Sequence, residues 1–467
     1  MLQHWRLWLA LALLILPALT LIPRLGIQGD EALFAPGIYG QIPIAARAGN
    51  VPVMLMSYVG ALKSWLMWPV FAVWQPSVWS LRIPPLLLAA ATVMIFAGIL
   101  KGISGKRAAA AGALLLATDP SFLLTTTFDW GPVALQLFLT CAAVLLLLRQ
   151  RPAWATFLLG LLLWNKAIAV WILIPAAPVL LFAIPRRRLA VCALTFCAGA
   201  SPFLWYNATH NLATFRDNGK LSAEHLTYKA SVARDTLDGS ALFGYLVTEG
   251  NSPLPRRSLA AVAALVALAF LLIRGPYRRL ALVLTLVAFT SWLFMCLSGG
   301  GWGAHHIVLL WPAAQVLIAL ALAGLERRVA IAIGALLVLS NVAVTARYVQ
   351  LAETAGPAPL WSDAMEPLTR TLQQLQPTEV VAVDWGIAHP LLLLSAGRLP
   401  ISIADPPKLR ESLTLGAVIV TRPDGHEVQA GRNAQLRAIA TPSCEQRLSD
   451  SHGRPAFLLL RFDAPCR

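Results

Sequence analysis

Residues 81–107 read LRIPPLLLAAATVMIFAGILKGISGKR, an apolar stretch that ends in a cluster of basic residues. The apolar part, residues 81–100, is long enough to cross a bilayer as a helix, because about 20 residues span the hydrocarbon core. The basic residues that follow, Lys101, Lys106 and Arg107, are typical of the cytoplasmic end of such a span. This segment therefore predicts a helical membrane protein and suggests which side of the membrane the later segments face.

The composition of the whole chain agrees with this prediction. Of its 467 residues 58% are hydrophobic and only 13% are charged, and the mean hydropathy is +0.67. A water-soluble surface could not be covered with so few polar side chains. The formal net charge of +15 is explained largely by basic residues at cytoplasmic helix ends, so it does not indicate nucleic-acid binding. Remaining cations could serve an anionic lipid-linked ligand.

Apolar runs recur along the chain and predict about eleven membrane spans. They cover residues 7–23, 81–100, 108–126, 132–148, 153–166, 167–184, 189–206, 259–273, 280–297, 306–325 and 329–346. The first run could be a signal peptide, but the many spans after it favour an uncleaved helix. With the N terminus in the cytoplasm, every inner loop carries basic residues, as the positive-inside rule requires. These are Lys101, Lys106, Arg107, Arg149, Arg151, Arg186, Arg187, Arg188, Arg274, Arg278, Arg279, Arg327 and Arg328.

Three segments must then face the outside, which we predict to be the periplasm of a bacterial inner membrane. They are residues 24–78, residues 207–256 and the tail from 347 onward. Within the first, residues 51–74 are apolar but interrupted by prolines and a lysine, which favours helices lying in the interface. The tail contains an amphipathic stretch and three strand-like runs, residues 361–376, 380–383, 417–421 and 457–462. We therefore predict a transmembrane domain over residues 1–346 and a small periplasmic α/β domain over residues 347–467.

An acidic pair, Asp30 and Glu31, follows the first span at the outer membrane surface, where a lipid headgroup would lie. Adjacent residues point in different directions on a helix or a strand, so only one of the pair is expected to face a given substrate atom. The alternative is that Asp30 caps a short helix that begins at Glu31. Considered alone, the local sequence favours the cap.

Two further aspartates lie near the outer ends of spans. Asp129 lies in a short outer turn before the fourth span and could also be a helix cap. Asp119 lies deeper and precedes Pro120, a strong signature of a helix start, so we predict a structural role for it. Because an ionised group at that depth is costly, a functional role for Asp119 stays open.

Basic residues on the outer side depart from the positive-inside pattern and are candidates for phosphate binding. Arg82 begins the second span and Lys166 ends the fifth. Snorkelling to membrane lipid phosphates would explain both without a specific ligand. His305 and His306 begin the tenth span, where interfacial anchoring or sugar binding is at least as plausible as a metal site.

The cysteines divide into two groups. Four lie in apolar spans without metal-ligand spacing and are expected to behave as small hydrophobic residues: Cys141, Cys192, Cys197 and Cys296. Cys444 and Cys466 lie in the polar tail, where an oxidising compartment would allow them to form a disulfide.

Four of these stretches, in order, resemble the C-type glycosyltransferases that use polyprenyl-phosphate sugars, in particular the protein O-mannosyltransferase and aminoarabinose transferase group. They are residues 29–32 with the acidic pair, residues 81–84 (LRIP), Phe128-Asp129 before an apolar helix, and residues 160–175 around Lys166. The chain departs from the family pattern at residues 50–53, NVPV, where the family often has a basic residue before two prolines. Lys63 could substitute for that residue.

The resemblance implies a membrane glycosyltransferase that moves a sugar from a polyprenyl-phosphate donor to an acceptor hydroxyl with inversion. Asp30 would be the base and Glu31 would orient it or the acceptor. Arg82 and Lys166 would hold the leaving phosphate, and Asp129 would position the donor sugar or a basic residue. No metal is needed in principle, although a divalent cation stays an open alternative. The acceptor, whether lipid A, a polysaccharide or a protein hydroxyl, depends on outer loops that match poorly.

Two other functions remain open at the level of sequence. A transporter or flippase of a lipid-linked or small substrate could also have about a dozen helices, although no second half resembles the first. A relative that has lost catalysis and only binds polyprenyl lipid would retain the same motifs.

Overall fold

The computed structural model describes residues 5–35, 43–299, 303–404 and 416–462. The α-helices of this part are α1 Trp5–Leu21, α2 Gly29–Leu33, α3 Leu62–Val73, α4 Val78–Thr118, α5 Pro120–Thr127, α6 Val133–Leu148, α7 Pro152–Asn165, α8 Val170–Ala183, α9 Leu189–Thr209, α10 Ala213–Asn218, α11 Leu226–Leu237, α12 Ala260–Arg274, α13 Arg278–Leu297, α14 Ala304–Ile307, α15 Ala313–Ala323, α16 Arg327–Thr354, α17 Met365–Leu375, α18 Ala388–Leu394 and α19 Arg432–Ile439. The strands are β1 Ala46–Ala48, β2 Val51–Met56, β3 Val59–Gly60, β4 Glu379–Ala382, β5 Ile401–Ile403, β6 Ala417–Thr421, β7 Cys444–Ser449 and β8 Pro455–Arg461.

A bundle of apolar helices forms most of the molecule and confirms the predicted polytopic helical fold. Five helical stretches are long and apolar enough to cross a membrane: Trp5–Arg24, Val78–Thr118, Arg186–Thr209, Arg278–Leu297 and Arg327–Thr354. Shorter apolar helices lie among them, and large apolar side chains cover the outside of the bundle, with Phe182 93% exposed and Ile273 77% exposed. Such a surface fits lipid contact. The count of about eleven spans stays a prediction.

The second and third predicted spans meet at Gly105 and are interrupted again at Asp119. Helix α4 consists of two helices joined at Gly105, whose φ of 79° suits glycine because it lacks a Cβ. At Asp119 the chain leaves helical geometry, and the side chain accepts a hydrogen bond of 2.9 Å from the amide of Phe122. Asp119 is therefore the N-cap of α5, which confirms its predicted structural role.

Residues 51–74 were predicted to form helices lying in the interface, and the structure differs in their first part. Only α3 is helical; residues 51–56 form β2, the central strand of a three-stranded antiparallel sheet β1-β2-β3. The physical reason is the sequence Gly49-Asn50, which makes a two-residue turn between Ala48 and Val51 with Gly49 at φ 59°. A valine on each side of Pro52 also favours extended backbone.

Helices α7 and α9 approach each other closely through two glycines. A Cβ built on Gly160 would lie 2.2 Å from the carbonyl oxygen of Phe196, and one on Gly199 would lie 2.2 Å from that of Phe157. Small residues that let helix backbones touch are a recurrent device of membrane bundles. This contact fixes α7, and with it Lys166 at the end of α7.

The tail folds as predicted into a small α/β unit. A five-stranded sheet has the order β5-β4-β6-β8-β7, with β4 parallel to both β5 and β6. The predicted amphipathic helix is α17, and the three predicted strands are β4, β6 and β8. Helix α16 continues to Thr354, so the division at residues 346 and 347 stays a prediction. Cys444 begins β7, whereas Cys466 lies outside the described residues and their disulfide stays a prediction.

This C-terminal unit packs directly on the loop that carries the acidic pair. A Cβ on Gly26 would lie 1.8 Å from the carbonyl oxygen of Ser362, and one on Gly29 would lie 2.7 Å from the Cα of Gly386. Both glycines are therefore needed for close approach of two backbones. The C-terminal unit thus helps to hold the first outer loop in place.

The α7–α9 contact gives a test of the bundle. We expect Gly160→Leu to destabilise the protein by about 2–3 kcal/mol, because the side chain must push two packed backbones apart. Thermal unfolding of the purified protein in detergent measures this. Gly98→Leu is the matched control, since a Cβ on Gly98 meets nothing within 4 Å. Equal stability of the two variants would contradict the assigned contact.

Candidate active site at the first outer loop

A buried ion pair anchors the acidic loop. The Arg82 guanidinium donates to both carboxylate oxygens of Glu31 at 2.8 Å. Its other N–H groups donate to the carbonyl oxygens of residues 22, 25 and 26 at 2.6–2.8 Å. All five donors of the arginine are thus occupied, and Arg82 is 0% exposed. Arg82 has no donor left for a phosphate in this structure, which argues against the contact expected from the sequence.

Asp30, the neighbour of Glu31, has a different environment. The cap of α2 is Gln28, whose side-chain oxygen accepts from the amides of Asp30 at 2.7 Å and Glu31 at 3.1 Å. The cap role expected for Asp30 therefore belongs to Gln28. Asp30 is partly exposed, and its carboxylate has no ion-pair partner among the residues described here.

Burial raises the pKa of the Asp30 carboxyl to about 6. The nearby Lys166 ammonium and a hydrogen bond from Gln28 lower the pKa of Asp30, but less than burial raises it. A carboxylate with a pKa near neutrality is suited to accept and release a proton.

The third acidic residue, Asp129, is held by Lys63. The Lys63 ammonium lies 2.9 Å from a carboxylate oxygen of Asp129 and donates to its backbone carbonyl at 2.7 Å. The other carboxylate oxygen accepts from the amide of Ala134 at 3.0 Å, near the start of α6. Both members of this pair are buried. Asp129 therefore joins α6 to α3, the helix that carries Lys63. The charges of Asp129 and Lys63 neutralise each other.

Lys166 lies where the chain leaves helix α7 and turns towards α8. Its ammonium donates to the carbonyl oxygen of Gly131 at 3.2 Å, and it is 1% exposed. A Cβ on Gly131 would collide with the ring of His305 at 2.7 Å and would lie 3.2 Å from the Lys166 ammonium. A glycine at this position thus allows a histidine and a lysine to approach the same peptide.

The two histidines at the start of α14 join the same cluster. The Trp130 indole donates to Nδ1 of His305 at 3.0 Å, so a neutral His305 carries its proton on Nε2. The rings of His305 and His306 lie 4.1 Å apart. The structure therefore gathers His305, Lys166 and the Asp129 turn on one side of the acidic loop.

Two tyrosines near Asp30 escaped the sequence prediction. Burial raises the pKa of Tyr58 and of Tyr245, and the negative charge of Asp30 raises both further. Tyr245 also packs against Trp130 and Trp361, with ring centroids 5.3 and 6.0 Å apart. Each residue comes from a different chain segment, so no local pattern could have indicated that they meet. The Gly49-Asn50 turn indicates the hairpin that precedes Tyr58, but it does not indicate that Tyr58 lies near Asp30.

An apolar cavity begins beside this cluster. Its volume is about 420 Å³, and its lining includes the polar residues Tyr58 and His306 and the apolar residues Trp171, Ile174 and Phe203. Trp171 and Ile174 belong to α8, a helix of the membrane bundle. The cavity therefore connects the polar cluster with apolar surface between helices.

The acidic residues do not fit a divalent cation. Within the described ranges, no three His, Cys, Asp or Glu side chains come together as a metal site. Glu31 and Asp129 are each neutralised by a basic partner, and Asp30 faces the positive charge of Lys166. These carboxylates thus pair with basic side chains and do not form a set of cation ligands.

The acidic loop gives a stability prediction with an internal control. We expect Glu31→Gln to lower the free energy of unfolding by about 3–5 kcal/mol, because it leaves the Arg82 charge buried without its partner. At pH 7.5, Asp30→Asn at the adjacent position should leave the free energy of unfolding unchanged or raise it. The folded-state pKa of about 6 lies above the ordinary value of 3.8, so ionised Asp30 disfavours folding at that pH. Thermal unfolding in detergent compares them, and an Asp30→Asn loss as large as that of Glu31→Gln would contradict the assignment.

The fold is similar to that of two solved states of one bacterial enzyme. ArnT from Cupriavidus metallidurans bound to undecaprenyl phosphate has a TM-score of 0.61 and 15% sequence identity, with 98% of each chain covered. Its apo state has a TM-score of 0.58 and 13% identity, with 97% of each chain covered. At this identity the likeness shows the fold alone, and it agrees with the fold expected from the resemblance noted in the sequence.

A third solved structure shares the architecture over a smaller part. The Archaeoglobus fulgidus oligosaccharyltransferase in complex with Zn and sulfate has a TM-score of 0.50 and 13% identity, covering 88% of this chain and 68% of that one. No protein-family model matches the sequence, and no curated protein matches it.

Proposed function

We propose that this chain is a membrane glycosyltransferase that moves a sugar from a polyprenyl-phosphate donor to an acceptor hydroxyl, with Asp30 as the base. The observation that carries the proposal is the half-buried Asp30 carboxylate, which has no ion-pair partner within the described ranges and lies next to the buried Lys166 ammonium, in a chain with the C-type glycosyltransferase fold. A proton acceptor and a phosphate-binding cation are the two groups that such a transfer requires.

Asp30 is preferred to the other two acidic residues because of how each is held. Glu31 is fixed by Arg82 and Asp129 by Lys63, each through a short ion pair. Both oxygens of Glu31 accept hydrogen bonds from Arg82. The two oxygens of Asp129 contact Lys63 and the amide of Ala134, so neither carboxylate is as open to a substrate hydroxyl as that of Asp30. Glu31 and Asp129 accordingly position the site, Glu31 by holding the loop that carries Asp30 and Asp129 by joining Lys63 to the turn beside Lys166.

Lys166 is assigned to the leaving phosphate, with His305 beside it as a second donor. The Lys166 ammonium makes a 3.2 Å hydrogen bond to one carbonyl and has two N–H groups besides. Its charge is not neutralised by an ion pair within the part of the chain described here. His306 lines the neighbouring cavity and is assigned to donor binding. Arg82, whose donors are all occupied, is a positioning residue.

The apolar cavity next to Lys166 suits the hydrocarbon part of such a donor. ArnT in the similar structure is bound to undecaprenyl phosphate, a ligand that combines a phosphate with a long apolar chain. The lining of this cavity likewise combines polar side chains, Tyr58 and His306, with apolar ones, Trp171 and Ile174. We therefore assign this cavity to the first isoprene units of the donor.

The transfer follows from these assignments. The acceptor hydroxyl oxygen attacks the anomeric carbon from the face opposite the phosphate, while the bond from that carbon to the phosphate oxygen breaks. The hydroxyl proton passes to Asp30, and the electron pair of the broken bond stays on the phosphate of the lipid, next to Lys166. Attack from the opposite face inverts the anomeric centre.

The site is assigned to the outer side of a bacterial inner membrane. The N terminus would be cytoplasmic, since the basic loops lie at the opposite helix ends from the acidic loop. The acceptor is then a hydroxyl of a lipid, polysaccharide or protein in the periplasm, and the C-terminal unit that packs on the acidic loop would face it.

Removal of the base is the direct test of this proposal. We expect Asp30→Asn to lower the transfer rate about 10²–10⁴-fold, the usual contribution of a general base. Membranes supplied with undecaprenyl-phosphate sugars and analysed by mass spectrometry for glycosylated lipid and protein measure the rate. Asp217→Asn, which changes an exposed aspartate of an outer segment, is the matched control. Substrate movement across proteoliposomes without any covalent product would instead indicate a transporter, and donor binding without a product would indicate a non-catalytic relative.

The same assignment predicts how the rate depends on pH. Asp30 acts as a base only when ionised, and its pKa of about 6 means that the ionised fraction falls as the pH is lowered through 6. We expect kcat/KM for the acceptor to be half-maximal near pH 6 and to fall about tenfold per unit at lower pH. The remaining rate of Asp30→Asn should not show this fall below pH 6. A wild-type rate that stays constant down to pH 4.5 would exclude Asp30 as the base.

A further inference from the structure

A second cavity lies at the other end of the bundle from the acidic loop, between helices α1, α4, α15 and α16. Its volume is about 760 Å³, which is larger than that of the cavity beside Lys166. Most of its wall is apolar, but three arginines from three different helices line it: Arg6, Arg107 and Arg327. The proposed glycosyl transfer uses none of these residues.

The three arginines are not neutralised. Within the part of the chain that the structure describes, no acidic side chain forms an ion pair with any of them, and Arg6 lies over the ring of Trp5 at 5.4 Å. The acidic residue next to Arg327 in sequence, Glu326, uses its carboxylate to cap α16 by accepting from the amides of Arg328 and Val329. Three positive charges therefore border one cavity without a counter-charge from the described residues.

The apolar wall extends away from these charges along the helices. On α4 the lining extends from Arg107 to Leu115, and on α16 from Arg327 to Leu339. At 1.5 Å per residue these stretches are about 12 and 18 Å long. A ligand that fits must carry negative charge at one end and apolar chains of at least this length at the other.

We propose that this cavity binds an anionic glycerophospholipid of the membrane leaflet opposite the acidic loop, with its phosphate among Arg6, Arg107 and Arg327. Guanidinium groups pair with phosphate oxygens through charge-assisted hydrogen bonds, and acyl chains match the wall formed by α4 and α16. Basic pockets between membrane helices are a known way to recognise anionic headgroups. This site is independent of the glycosyl transfer proposed above.

Its test is lipid binding by the full chain. Delipidated protein in neutral detergent is titrated with dioleoyl phosphatidylglycerol or dioleoyl phosphatidylcholine, and bound lipids are counted by native mass spectrometry. Because each basic residue near an anionic lipid contributes roughly fivefold, the phosphatidylglycerol affinity should fall about 100-fold in Arg6→Gln/Arg107→Gln/Arg327→Gln. Phosphatidylcholine, whose phosphate charge is offset by its choline, should bind more weakly and lose less affinity in this variant, and inorganic phosphate alone should not compete at lipid concentrations.

Two matched variants make the result specific. Arg149→Gln/Arg278→Gln/Arg279→Gln removes the same charge from exposed arginines that do not line the cavity, and it should keep the preference for phosphatidylglycerol. Gly334→Trp fills the cavity wall without a backbone clash, since a Cβ there meets only Leu322 at 3.7 Å, and it should abolish tight binding while keeping the arginines. Gly98→Trp is its control. Equal losses in the two arginine triples, or full binding by Gly334→Trp, would overturn the proposal.

Discussion

The buried pair of Glu31 and Arg82 is the interaction on which the outer half of the structure depends. Arg82 belongs to α4, and its five donors bind the carboxylate of Glu31 and three carbonyls of the chain between α1 and α2. The guanidinium also lies over the ring of Phe128 at 4.6 Å and near that of Trp361 at 5.9 Å. One side chain thus joins the first loop, the second loop and the C-terminal unit.

Fixing Glu31 in this way determines the environment of Asp30. Residues adjacent on a helix differ by about 100° in direction, so a loop that turns Glu31 inward onto Arg82 cannot turn Asp30 inward as well. Gln28 caps α2, so the Asp30 carboxylate is not needed as the cap. The chemical difference between two neighbouring carboxylates therefore comes from the contacts of one of them. Replacing Glu31 by asparagine would remove the ion pair with Arg82 that makes the two positions different.

The parts of the structure that the sequence predicted are those set by local pattern. Apolar runs and basic loops predict a helical bundle, Asp119-Pro120 predicts the start of α5, and the strand-like runs of the tail are strands of its sheet. The hairpin at residues 46–56 does not follow from composition, because its apolar residues also suit an interfacial helix and only the Gly49-Asn50 turn indicates two strands. Such a turn overrides composition, since it fixes the backbone direction of the strands beside it.

The charge pairs of the site could not be predicted, because they join distant segments. Lys63 lacks a local motif, yet it meets Asp129 at 2.9 Å. Arg82 was expected to bind phosphate, but its position at a helix start gave no indication that three carbonyls would surround it. Sequence predicts which charged residues face the outer side. Which of them neutralise each other depends on tertiary packing. The same packing therefore decides which charges remain available to a substrate.

The resulting charge balance suits the proposed transfer. Glu31 with Arg82 and Asp129 with Lys63 are neutral pairs, so Asp30 and Lys166 are the charges of the cluster that can respond to a substrate. When the acceptor proton reaches Asp30, its negative charge disappears and Lys166 loses the carboxylate that faced it. At that moment the lipid phosphate gains the electron pair of the broken bond. The attraction of Lys166 for the phosphate therefore increases as the reaction proceeds, which stabilises the transition state more than the bound donor.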